Sequence, residues 1–251
     1  MVRQPGLPAK RPTWARTYDV GQLLDKAVQL YRRNFVLFAA ISLVAIVPDA
    51  VLLVWGVSLP TIVLRVTSAP FILATFYLAA AQAVFRGPIG PLPILLAAVR
   101  RYRNFAGVLA GYFAAAFTLA SSPAGISLIV AFGPTACVLA AESGTPAQAF
   151  KRWNYLLKKN LRRAALSCAA LFLLCCGLAG VLAVLAIVGT DLIPSSQPGL
   201  QMIGQDVTLI LPVLLATPIA AIGYCLVYVD LRVRAEGDDL DDLAKSAAGA
   251  A

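Results

Sequence analysis

The chain has 251 residues, 60% of them hydrophobic and only 13% charged, with a mean hydropathy of +0.80. Too little polar surface remains to cover a soluble globule of that length, so lipid must be the solvent for much of it. The net charge of +9 is no nucleic-acid footprint, because the basic residues sit in short gaps between apolar runs, where membrane topology already accounts for them.

The N-terminal segment, residues 1–34, carries the first predicted element. Val20, Leu23, Leu24, Ala27, Val28 and Tyr31 recur at helical spacing, while Asp19, Gln22, Asp25, Lys26, Gln29 and Arg32 take the opposite face. An amphipathic helix is expected there. Six apolar runs approach the roughly 20 residues a bilayer crossing needs: Phe35 to Val57, Ile62 to Phe85, Phe105 to Ala120, Ala124 to Ala141, Ala164 to Gly189 and Val207 to Val229. The third and fourth are short and separated only by Ser121, Ser122 and Pro123, so a re-entrant hairpin is an alternative to two crossings. The first run is too long, and too far from the start, for the core of a cleaved leader.

Two further amphipathic helices are expected between spans. The one near residues 90–104 has Leu92, Leu95, Leu96, Val99 and Tyr102 as its stripe; the one over 145–160 has Ala149, Phe150, Trp153, Leu156 and Leu157 against Gln148, Lys151, Arg152, Lys158 and Lys159. Thr145 followed by Pro146 is a helix-start signal. Each of the three helices ends in a basic run and an asparagine: Arg32-Arg33-Asn34, Tyr102-Arg103-Asn104 and Lys158-Lys159-Asn160. Asparagine suits such a break because it tolerates the left-handed conformation that stops one helix and can cap the next. The pattern predicts an all-α polytopic membrane protein, its six spans in three pairs, each pair preceded by an amphipathic helix. A membrane domain over 35–230 is then followed by an acidic tail, 231–251.

Of the 21 Lys and Arg residues, 20 fall in alternate gaps between the spans, and only Arg65 lies on the other side. Cytoplasmic loops accumulate Lys and Arg, so both termini are expected in the cytoplasm of a bacterial cell, with the protein multi-pass in its inner membrane.

Three stretches resemble bacterial proteins of the glycerophosphoryl diester phosphodiesterase membrane-domain type. They are Val20 to Ala27 with Leu30 to Phe35, Pro134 to Glu142 with Thr145 to Arg152, and Tyr228 to Gly237. The resemblance implies a multi-span helical module of undefined role, without the soluble phosphodiesterase domain. Such a phosphodiesterase relies on His beside metal-binding carboxylates, and this chain has no His.

Polar residues in apolar surroundings are the candidate sites. Asp49 lies inside the first span, where a central carboxylate costs about 2.5 to 3.5 kcal/mol on insertion scales. Two readings weigh equally: a pair with Arg65 across one helical hairpin, or exposure to water at the Pro48 kink. Glu142 and Asp230 end the fourth and sixth spans, where carboxylates oppose the helix dipole and call for cationic partners. With Arg232 and Arg234 they are expected to form a cytoplasmic-boundary cluster that locks the helix over 145–160 under the bundle. That helix is expected flat at the interface, with Phe150, Trp153 and Leu157 buried at the headgroup boundary and Lys151, Arg152, Lys158 and Lys159 reaching for phosphates or for Glu142 and Asp230.

Pro212 and Pro218 in the sixth span, and Gly133-Pro134 in the fourth, read as kinks, with a transport cavity as the alternative. Gly107 and Gly111 form one GxxxG, a weak signal for close packing. The five cysteines lie in apolar runs and read as small packing residues. No cofactor, metal or catalytic constellation is expected, and the tail beginning at Glu236 reads as solvated acid. The expected function is a non-catalytic scaffold, assembly or lipid-organising module. Its expected partners are membrane lipids with anionic headgroups, another protein or a second copy; the alternative is a small transporter using Asp49 and Arg65.

Overall fold

The computed structural model describes residues 18–55, 58–85, 90–121, 134–142, 144–191 and 216–236. Every element within them is an α-helix: α1 Val20–Arg33, α2 Phe35–Trp55, α3 Leu59–Phe85, α4 Pro91–Ser121, α5 Thr135–Glu142, α6 Pro146–Lys159, α7 Leu161–Asp191 and α8 Ala216–Glu236. Three of these contain stretches long and apolar enough to cross a membrane, namely Val66–Phe85, Leu161–Gly189 and Ala216–Glu236, with a shorter apolar stretch over Phe35–Ala45. The protein is all-α and polytopic.

Helix α8 is the axis of the core. Every residue from Ala221 to Leu231 is buried, in one hydrophobic cluster with Leu171 and Cys168 of α7, Cys137 to Leu139 of α5 and the Ala74–Ala81 stretch of α3. Gly223 permits the approach of α7, since a Cβ there would lie 2.4 Å from Leu171 Cδ1. On α4, Gly107 of the GxxxG meets Pro146 of α6, whose Cγ lies 3.0 Å from where a Cβ would stand. Helix α7 is the peripheral member. Beyond Leu171 it presents Leu173, Val181, Val184, Leu185 and Val188 outward, a face only lipid would solvate.

Helices α1 and α6 form as their caps dictate. Thr145 Oγ1 accepts the Gln148 N–H at 3.3 Å while Gln148 Oε1 accepts the Thr145 N–H at 3.0 Å, a reciprocal capping box with Pro146 in the first turn. In α1, Gln22 Oε1 likewise accepts the Asp19 N–H at 3.4 Å. Leu23, Ala27 and Tyr31 are its buried stripe, narrower than expected, since Val28 stays exposed. Asn34 and Asn160 are hinges between helices: their N–H groups bond back to Leu30 and Leu157, and their carbonyls start α2 and α7 by accepting from Phe38 and Ala164. Neither is left-handed, with φ of −110° and −139°. The break thus needs no αL strain, contrary to expectation.

The middle copy differs. No break occurs at Asn104, and the segment expected as a separate helix near 90–104 runs straight into the following apolar run within α4. Asn34 turns its side-chain amide back on Leu30 O at 2.9 Å, whereas Asn104 Nδ2 reaches Gly144 O at 3.1 Å and leaves its own helix intact. The buried stripe also shifts to Ile94, Ala98, Phe105 and Val108. Leu92, Leu96 and Val99, expected as the apolar stripe of an interfacial helix, are exposed. Among membrane helices small residues pack inward while large apolar ones are equally at home facing lipid. Helix α8 continues past Asp230 to Glu236.

Candidate functional site

The last two turns of α8 carry alternating charge on two faces. Tyr228, Arg232 and Glu236 stand four residues apart on one, and Asp230 and Arg234 on the other. Each face gathers partners from different helices at the basic end of the bundle.

On the first face, Glu142 at the end of α5 accepts hydrogen bonds at Oε1 from the Tyr228 hydroxyl and from Arg152 Nε, the latter at 3.3 Å. Arg152, from α6, also donates through Nη2 to Glu236. Arg232 closes the ring, with Nε 2.8 Å from Glu236 Oε2 and Nη1 3.8 Å from Glu142 Oε1. Two carboxylates thus alternate with two guanidiniums. Lys159 adds a bond to the Ala235 carbonyl at 3.2 Å, and Arg101 of α4 donates to the Leu139 and Ala140 carbonyls at 3.3 Å. These cations satisfy carbonyls in the last turns of α8 and α5 and offset the dipole that the carboxylates oppose.

On the second face, Asp230 is buried with 1% of its surface exposed. Its Oδ1 accepts the Tyr18 backbone N–H at 2.8 Å; Arg234 Nε lies 3.2 Å from both its oxygens, and Arg163 Nε lies 3.4 Å from Oδ2. Arg163 Nη2 returns to the Tyr18 carbonyl, which Arg234 Nη2 also approaches at 3.5 Å. Arg163 further lies 4.0 Å from Asp19 Oδ1. A buried carboxylate with two guanidiniums and a main-chain donor is well compensated. Together the two faces tie α5, α6, α7 and the start of α1 to α8.

The four residues expected as one boundary cluster therefore divide: Glu142 and Arg232 belong to the first face, Asp230 and Arg234 to the second. Arg152 of α6 serves Glu142 and Glu236, while Asp230 takes its cations from α7 and α8 instead. Trp153 is fully buried in protein, with Ala149 and Leu156, because α6 packs against α4, α5 and α7. Its stripe faces the bundle, so Trp153 is buried as expected, but within protein and not at a headgroup boundary. Phe150 and Leu157 are half-buried, and Lys151, Lys158 and Lys159 are exposed. Lys159 Nζ and Arg152 Cζ lie 5.1 and 5.8 Å from the Tyr155 ring centroid, within cation–π range. Asp49 and Arg65 lie on α2 and α3, but their side chains fall outside the described residues. Pro212 and Gly133 fall outside them too.

Tyr18, Arg101, Arg163, Tyr228 and Glu236 are participants that reasoning on charge position alone did not select. Glu236 was within reach, since it stands four residues after Arg232; its place in an acidic run concealed it. Among the described residues no group of three or more His, Cys, Asp or Glu side chains converges as metal ligands would. A cleft of about 130 Å³ lies beside Glu142, lined also by Leu139, Gly144 and Gln148. The chemistry this end supports is charge-assisted hydrogen bonding between helices. No family model matches the chain, and neither a curated protein nor a solved structure matches it.

Proposed function

We propose that the chain is a non-catalytic integral membrane protein of a bacterial inner membrane, a scaffold or lipid-organising module with its basic end in the cytoplasm. One observation carries the reading. Glu142, Asp230 and Glu236 are all engaged by arginines that join helices, whereas Arg32, Arg33, Arg100, Arg103, Lys151, Lys158 and Arg162 stand exposed along the same end. That surplus of positive charge suits anionic headgroups, worth about 1 kcal/mol per basic residue close to the surface. Membership of the glycerophosphoryl diester phosphodiesterase membrane-domain type is part of the proposal. It is supported by where the resembling stretches fall: the α1 stripe, the start of α6 and the charged turns of α8.

The test is native mass spectrometry of the protein released from nanodiscs of mixed phosphatidylglycerol and phosphatidylcholine. Retained lipid should be enriched in phosphatidylglycerol, and K158E with R162E should lower that enrichment. Equal retention of both lipids would overturn the lipid-organising reading, and solute uptake that depends on Asp49 would replace it with transport. Orientation is read separately, by labelling cysteines introduced at Gln197 and Ser246 in intact cells: the first should be accessible from outside and the second protected.

A further inference from the structure

A second feature lies far from the charged end. Helices α2, α3, α4 and α8 enclose a half-open cavity of about 190 Å³, walled by Pro48, Ala69, Ile72, Phe76 and Leu109, with the hydroxyls of Ser68 and Thr217 as polar points. Along α3 it spans the stretch from Ser68 to Phe76, which at 1.5 Å per residue lies roughly 14 to 25 Å from Phe85 at the basic end. In a hydrocarbon core about 30 Å thick that is the middle and the far half. Pro48 and Pro70 stand on adjacent helices at this level, each removing one ladder hydrogen bond and crowding the preceding turn.

What fills it follows from its lining. A volume of 190 Å³ equals that of roughly six liquid waters at 30 Å³ each, and two hydroxyls are too few partners for six. A dry void would leave its walls without contacts on one side, against the close packing of protein interiors. The neighbouring surface is itself apolar: Val63, Leu64 and Val66 of α3 and Val47 of α2 are exposed, and none of the described lining residues is charged. An apolar cavity of about 150 Å³ holds benzene, so this one has room for a longer stretch of hydrocarbon.

We propose that the cavity is a lipid-chain site, occupied by the acyl chain of a bilayer phospholipid that enters between α2 and α3. The site is independent of the cytoplasmic-face reading, and either stands if the other fails. The test is photolabelling of the protein in nanodiscs that contain a phosphatidylcholine with a diazirine in mid-chain. Label should concentrate on residues 69–76 and at Leu109, several-fold above the lipid-facing Val181 to Val188 stretch of α7. A69F, which fills the cavity, should bring labelling of 69–76 down to the α7 level without changing α7 itself. L109A, which enlarges it, should raise labelling there. Label spread evenly over the apolar faces and unmoved by L109A would overturn the site, and that variant decides the matter even where A69F fails to fold.

Discussion

The backbone N–H of Tyr18 and the buried carboxylate of Asp230 meet at 2.8 Å across 212 residues of sequence, joining the residues just before α1 to the last turns of α8. Arg163 and Arg234 complete the contact from α7 and α8. Asp230 is the buried member of this network, and the two guanidiniums are 26% and 34% exposed, so its removal costs hydrogen bonds more than it strands buried charge. D230A takes the acceptor from two guanidiniums and the Tyr18 N–H together. It is therefore expected to lower thermal stability in detergent and to make the chain before α1 more sensitive to protease. A protease pattern and melting temperature equal to the parent would show that the contact contributes nothing.

The seam between α7 and α8 makes an independent prediction. Gly223 faces Leu171, whose side chain is itself fully buried. G223V should destabilise the protein by about 1 to 3 kcal/mol through overpacking, and L171A should recover part of that loss when combined with it. Strictly additive losses would mean that the two side chains do not compete for the same space.

Asp49 and Arg65 make a third test. If they pair across the α2–α3 hairpin, alanine at either position lowers stability and the double change costs less than the sum, with a coupling of about 0.5 to 3 kcal/mol. Additive losses would leave Asp49 as a hydrated carboxylate at the Pro48 kink and remove the pair from any transport scheme.

How far the architecture was legible varies by element, for physical reasons. The starts of α1 and α6 are local chemistry, a capping box spelled by residues three apart, and the asparagine hinges after them are equally local. The inward face of α4 is another matter. In a soluble helix Leu92, Leu96 and Val99 would mark the core, but lipid accepts them as readily as protein does, so hydrophobicity no longer distinguishes inside from outside. The sequence did place Glu142, Asp230, Arg232 and Arg234 at one end. Their division into two faces depends on Tyr18 and Arg163: the first contributes main-chain atoms, which carry no residue signature, and the second is one of six basic residues in its gap.

The burial of Trp153 sets the last prediction. An interfacial helix with its stripe toward lipid would place this indole among headgroups, open to quenchers carried shallowly in the bilayer. Instead the side chain is 0% exposed, on a helix capped by Thr145 and Gln148 at its start and tied by Arg152 and Lys159 to the end of α8. With Trp14 and Trp55 replaced by Phe, emission from Trp153 should be blue-shifted and resist both acrylamide in water and brominated lipids. Because Arg152 joins α6 to Glu142 and Glu236, R152A should loosen the helix and raise quenching by one or both agents, whereas K151A, at an exposed position, should leave it unchanged. Strong quenching of the parent by shallow brominated lipid would show that the stripe of α6 faces the bilayer and that the charge network does not hold the helix on the bundle.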